Sequence, residues 1–231
     1  MSDLMPVRLF ADPIWPALHG PHRHLAIGTG LARRYPADVA VFAALAEPTE
    51  AAMAQLRLLL EPGEAVWLFG AEQPLMAGLD VTDRMVCPQM ALPAAIEPPE
   101  PVAGIVELGE DEAHEMVALS DLAFPGFFRP KTYRMGSYYG VRAPSGELIA
   151  MGGERMKLDG YSEISTVCTH PSFRGKGYAE SIIWQVVRQH RREGVKSFLH
   201  VGKANTRAIA LYERLGFQIC SEITIARVVR T

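Results

Sequence analysis

Thr169 to Ile183 reads THPSFRGKGYAESII, and this stretch decides the fold. The segment before it, YSEISTVCTHP (Tyr161 to Pro171), is rich in β-branched residues and reads as a strand ended by Pro171. After it, Ala179, Ile182, Ile183, Val186 and Val187 fall on one helical face, with Gly194 as the stop. Between strand and helix stand Arg174, Gly175, Lys176 and Gly177. A helix N-terminus offers unpaired N–H groups and the positive end of a dipole. Glycine lets a ligand approach the backbone closely. The arrangement is a cradle for a phosphate-like anion.

Three kinds of phosphate user compete for it. A Walker loop needs Ser or Thr after its Gly-Lys pair, but Gly177 follows Lys176 and position 170 is His170, not glycine. A dinucleotide fingerprint needs a third glycine where Glu180 stands, and Gly28-Thr29-Gly30 fails in the same way at Arg33. What remains is a pyrophosphate-bearing carrier such as coenzyme A.

Outward from this stretch, the 231 residues carry 48% hydrophobic and 21% charged residues, which suits a packed core. The net charge of −3 gives no global argument for nucleic acid or a membrane surface. From Pro171 onward, however, there are 11 Lys+Arg against 4 Asp+Glu, a basic region that reads either as a solvated helix face or as a site for a polyanionic small molecule. Cys87, Cys168 and Cys220 form no CxxC pair and suit a reducing cytoplasm. The first ten residues carry no signal pattern, and no apolar run approaches the ~18 residues of a membrane span.

The proline-rich stretch LPAAIEPPEPVAG (Leu92 to Gly104) is incompatible with a helix and divides the chain into expected domains 1–98 and 99–231. In the first, HLAIGTGLARRY, DVAVFAAL and AVWLFG read as strands and TEAAMAQLRLLLEPGE as a helix, making a small β/α unit. In the second, EDEAHEMVALSDLAF reads as a helix, and SYYGVRAP and ELIAMGGERM as a hairpin. SFLHV is a strand, and ANTRAIALYERLG is a helix capped by Asn205 and closed by Gly216. FQIC and EITIARVV read as two further strands. The order implies an α/β fold with a mixed sheet flanked by helices.

At this point the loop gains context. Arg174-x-x-Gly177-x-Ala179 resembles the Q/R-x-x-G-x-G/A signature of the GNAT superfamily of N-acetyltransferases. Asn205, Ala208, Tyr212, Gly216 and Phe217 resemble the family's later N-x-x-A-x-x-x-Y-x-x-x-G-F pattern. The resemblance covers roughly residues 104–229 and is strongest from Glu163 to Phe217. It implies a mostly antiparallel central sheet and an enzyme that moves an acetyl (acyl) group from acetyl-CoA to a primary amine of a small molecule or amino-acid derivative, by direct attack in a ternary complex. The N-terminal part is similar to the extra domain of double-domain members. By resemblance, Arg174, Gly175, Lys176, Gly177, Tyr178, Ala179 and Glu180 would hold the pyrophosphate. Val167, Cys168 and Thr169 would line the pantetheine arm through their backbone, and Asn205 would touch the cofactor. Tyr212 would protonate the departing thiolate. Glu163 would be the general base, with Glu154 or water as alternatives.

The aromatic and cationic stretch FPGFFRPKTYRMGSYYG (Phe124 to Gly140) would lie over the acceptor site in such a fold, where it could accept an apolar or carboxylate-bearing amine such as an amino-acid derivative; for most of its residues the plainer reading is core packing with a solvated loop. HGPHRH (His19 to His24) has no metal-site spacing, so no metal is expected. The expected protein is cytoplasmic, a monomer or homodimer acting on a small-molecule amine, without nucleic acid or membrane partners. The alternative is a non-catalytic acyl-CoA sensor or interaction module.

Overall fold

The structure, a computed structural model, describes residues 11–70 and 76–231; the segment read for a signal pattern lies outside them. In chain order the elements are α1 (Ile14–His19), β1 (Ala32–Arg34), β2 (Phe42–Leu45), α2 (Glu50–Leu59), β3 (Ala65–Phe69) and β4 (Leu79–Ala91). Beyond the proline stretch follow β5 (Ile105–Leu108), α3 (Ala113–Asp121), β6 (Tyr138–Arg142), β7 (Leu148–Leu158) and β8 (Tyr161–Thr169). The chain ends with α4 (Tyr178–Arg192), β9 (Lys196–His200), α5 (Thr206–Arg214) and β10 (Gln218–Arg230).

The strands form one ten-stranded sheet in the order β1-β2-β3-β10-β4-β9-β8-β7-β6-β5. Among the described residues, only β2/β3 and β8/β9 pair in parallel. The parallel β8/β9 pair is joined through α4, because parallel neighbours need a crossover. This is the mixed, mostly antiparallel sheet flanked by helices that the sequence implied.

Local chemistry explains most boundaries. Thr49 accepts the Ala52 N–H and caps α2, and Asn205 accepts the Ala208 N–H at 3.1 Å and caps α5. Gly194 (φ +70°) and Gly216 (φ +93°) take the left-handed conformation that stops α4 and α5. The inner face of α4 buries Ile183, Val186 and Val187 against Ile164, Leu199 and Phe217.

Two expectations need correction. FQIC and EITIARVV are one strand, β10, with an irregularity in its pairing between Ile219 and Ser221. The extra residue, Cys220, breaks the alternation and makes one strand read as two. The strand β4 was not anticipated, since its outer half is polar and it contains Pro88. Pro88 is tolerated because its carbonyl, which accepts the Val201 N–H, points toward β9 at a level beyond the last paired residue, His200. The missing N–H lies on that same side, so the β10 ladder loses nothing.

β10 lies between β3 and β4, so the last strand of the chain joins the two segments separated by the proline stretch. Phe42 and Phe69 from the first segment share a core with Phe198, Ile223 and Ile225. Among the described residues, no helix is long and apolar enough to cross a membrane.

Candidate active site

β8 and β9 pair only from Tyr161–Glu163 to Lys196–Phe198 and then separate. On its other edge β8 bulges. Met151 pairs with Cys168 and Gly153 with Ser165, so Thr166 and Val167 together face the single Gly152. Thr166 adopts φ +55°, rare for a β-branched residue. Gly152 permits the bulge, because a Cβ there would meet Ile182 at 2.9 Å and Val167 at 3.1 Å. The splay leaves the backbone of Val167–Thr169 at the edge of an open groove of about 540 Å³.

This groove brings together all eleven residues expected to hold a cofactor: Val167 to Thr169, Arg174 to Glu180, and Asn205. At its floor, α4 begins at Gly177 (φ +83°) with no side chain capping its N–H groups. Added Cβ atoms at Gly175 or Gly177 would meet nothing within 4 Å, so the loop stands open. The Arg174 Nε donates to the Thr169 carbonyl at 3.3 Å, fastening the loop to the strand end. Lys176 lies over the Phe173 ring at 5.3 Å. Arg207 and Arg214, which the sequence analysis did not single out, add cations from α5. Their place on the wall is a tertiary fact: α5 lines the same groove as the start of α4, and Arg214 meets Glu180 of α4 at 3.3 Å. The residues thus fit a long polyanionic ligand with a phosphate end at α4. Burial pushes the Cys168 thiol up to about 12, so it is not a ready nucleophile.

A second, smaller cavity of about 180 Å³ adjoins the groove and shares Phe124, Val167, Asn205 and Ala208 with it. Phe42, Phe69, Phe124 and Phe127 wall it, together with Arg155, His200, Ser120 and Tyr212. The aromatic stretch over the site supplies Phe124 and Phe127, while Phe128 and Tyr138 pack into the core beneath. Tyr212 is 9% exposed, and its hydroxyl has no hydrogen-bond partner among the described residues. Burial, with the negative Glu163 nearby, pushes its phenol up to about 12, which keeps it protonated at neutral pH.

Glu163 is fully buried and does not line the cavity. Its Oε2 accepts Arg155 Nε at 2.9 Å, and its Oε1 accepts Arg155 Nη2 at 2.6 Å and His200 Nδ1 at 2.6 Å. Burial alone would raise this carboxyl; the Arg155 and His200 contacts outweigh it and hold it down at about 2. His200 Nε2 lies 2.8 Å from the Gln89 amide nitrogen, so both ring nitrogens are occupied inside the protein. Neither group presents an open lone pair to the cavity. Glu154 is likewise buried. It accepts the Ser162 hydroxyl and the Ser137 N–H, lies 3.0 Å from both Lys157 Nζ and His190 Nε2, and is absent from the cavity wall.

Around His22, Nδ1 bonds the Tyr35 hydroxyl and Nε2 the Met135 carbonyl, which gives HGPHRH a role in packing. Among the described residues, no group of three or more His, Cys, Asp or Glu is placed to hold a metal ion.

Residues 138–225 match the family model described as FR47-like protein. A solved structure from Novosphingobium aromaticivorans DSM 12444, assigned to the GNAT family of acetyltransferases, is 34% identical with a TM-score of 0.86. The alignment covers 96% of this chain and 98% of that one. A GCN5-related N-acetyltransferase from Kribbella flavida shares the fold at 17% identity and TM-score 0.62, over 99% of this chain and 96% of that one. No curated protein matches the sequence.

Proposed function

Because this chain belongs to the GNAT family of acetyltransferases, we propose that it moves an acetyl group from acetyl-CoA to the primary amine of a small molecule. The observation that carries this reading is the junction of groove and cavity at Val167, Asn205 and Ala208, with the Tyr212 phenol on the cavity side. Acetyl-CoA would supply the acyl group already activated as a thioester. The open N–H groups at the start of α4, with Arg174 and Lys176, bind its pyrophosphate. The backbone of Val167–Thr169 orients the thioester carbonyl toward the cavity.

The amine nitrogen attacks the carbonyl carbon; an N–C bond forms and the C–S bond breaks. Tyr212 gives its proton to the sulfur. The proton lost by the amine nitrogen passes through groove water and restores the phenol, so the net transfer is one proton from nitrogen to sulfur. Glu163 serves this chemistry by fixing Arg155 and His200, and the base that meets the amine is water. Positioning supplies the rest, with no covalent enzyme intermediate.

Calorimetry with acetyl-CoA and thiol release over a panel of amines test the proposal. Binding and amine-dependent thiol release are expected. Tyr212→Phe should lower kcat by about 10²-fold and leave acetyl-CoA affinity unchanged. Binding without turnover for any amine would make the protein an acyl-CoA sensor, and absence of binding sinks the proposal.

A further inference from the structure

We infer that the acceptor amine also carries a carboxylate beside an apolar body, an apolar α-amino acid in its simplest form, and that Arg155 and Ser120 read that carboxylate. The inference rests on the acetyl-transfer reading above and specifies its acceptor.

Arg155 reaches the cavity from β7 with its side chain 16% exposed. Glu163 occupies its Nε and Nη2, and Nη1 has no partner among the described residues. A guanidinium presents five N–H donors in a rigid fork, so one edge can hold Glu163 while the other meets a second carboxylate. The Phe42 ring centroid lies 4.8 Å from the guanidinium carbon, a cation–π contact. Ser120 supplies an independent sign. Ser120 is one of the residues lining the same cavity, and its hydroxyl is buried with no hydrogen-bond partner among the described residues. A buried hydroxyl without a partner is costly, and an acceptor atom on a ligand relieves it.

Charge selects among amines. Among the described residues, the cavity wall contains no Asp or Glu. A polyamine would bring a second ammonium to a wall that offers it no carboxylate. A zwitterion brings its own anion to Arg155, and its ammonium meets no open carboxylate that would hold it in the charged form. Removal from water then favours the neutral, attacking amine. Four phenylalanine rings give the apolar body its place. The cavity of about 180 Å³ lies below the ~300–1,000 Å³ of drug-sized sites, so the occupant is small.

With acetyl-CoA as donor, thiol release is measured for leucine, methionine and phenylalanine, each beside its decarboxylated amine and its carboxamide. The acids should exceed both analogues by about tenfold or more in kcat/KM. Arg155→Lys keeps a cation beside Glu163 but loses the fork. It should raise KM for the acids and shrink their preference, with acetyl-CoA affinity unchanged. Ser120→Ala should act in the same direction more weakly, and it keeps the test decisive if the lysine variant does not fold. An equal or reversed preference in the wild type overturns the inference. So does an undiminished preference in both variants, or a protein that binds acetyl-CoA and acetylates none of the acids. Failure to bind acetyl-CoA overturns the acetyl-transfer reading along with it, which separates the two failures.

Discussion

Glu163 and Glu154 are both completely buried, and each is held by cationic or hydrogen-bonding partners at about 2, below the ordinary 4.5. A carboxyl depressed in the folded state stabilises it above the unfolded value and loses that contribution as the pH falls. The urea midpoint should therefore drop between about pH 4.5 and about pH 2. Glu163→Gln leaves Arg155 unpaired, which should cost about 3–5 kcal/mol at neutral pH. It should also flatten the acid loss. An acid slope as steep in this variant as in the wild type would contradict the assignment. The sequence placed Glu163 on the strand before the loop, but its partners were not legible. Arg155 comes from β7 and His200 from β9, on either side of β8, and nothing local links the three. The same holds for Ser120, which arrives on α3.

At the scale of the element, the start of α4 is the informative case. Gly177 takes φ +83° at the N-cap and brings no side chain to the first N–H groups. A Ser or Asp in that place would cap the helix and occupy donors that the groove leaves open. Gly177→Ala meets no steric obstacle, so its cost is conformational, about 1–2 kcal/mol. It should lower the melting temperature by about 2–4 °C per kcal/mol and weaken acetyl-CoA binding. Calorimetry beside thermal melts checks both, and unaltered affinity would place the ligand elsewhere. This element was legible because its signals are local: Pro171 ends a strand, two glycines bend the loop, and apolar residues recur on one face. The continuity of β10 was not, since a bulge interrupts the period of two by which a strand is read.

For the whole molecule, the decisive feature is β10 between β3 and β4. Val228 is fully buried on it and stands opposite Val66 and Val81. Val228→Asp places an unpaired carboxylate in that core. It should abolish cooperative melting and acetyl-CoA binding together, although the residue lies outside groove and cavity. A variant that melts like the wild type would show that β10 is dispensable to the sheet. By itself the sequence determined the strand–loop–α4 cradle, the capped helix bearing Asn205 and Tyr212, and the class of fold, because periodicity, caps and glycine conformation act within a few residues of chain. Only the tertiary structure decided that one sheet spans the proline stretch, that Glu163 is enclosed by Arg155 and His200, and that aromatic rings from both segments close one cavity. Those depend on which strands lie side by side, and the pairing of distant strands is settled by shared burial across the whole core.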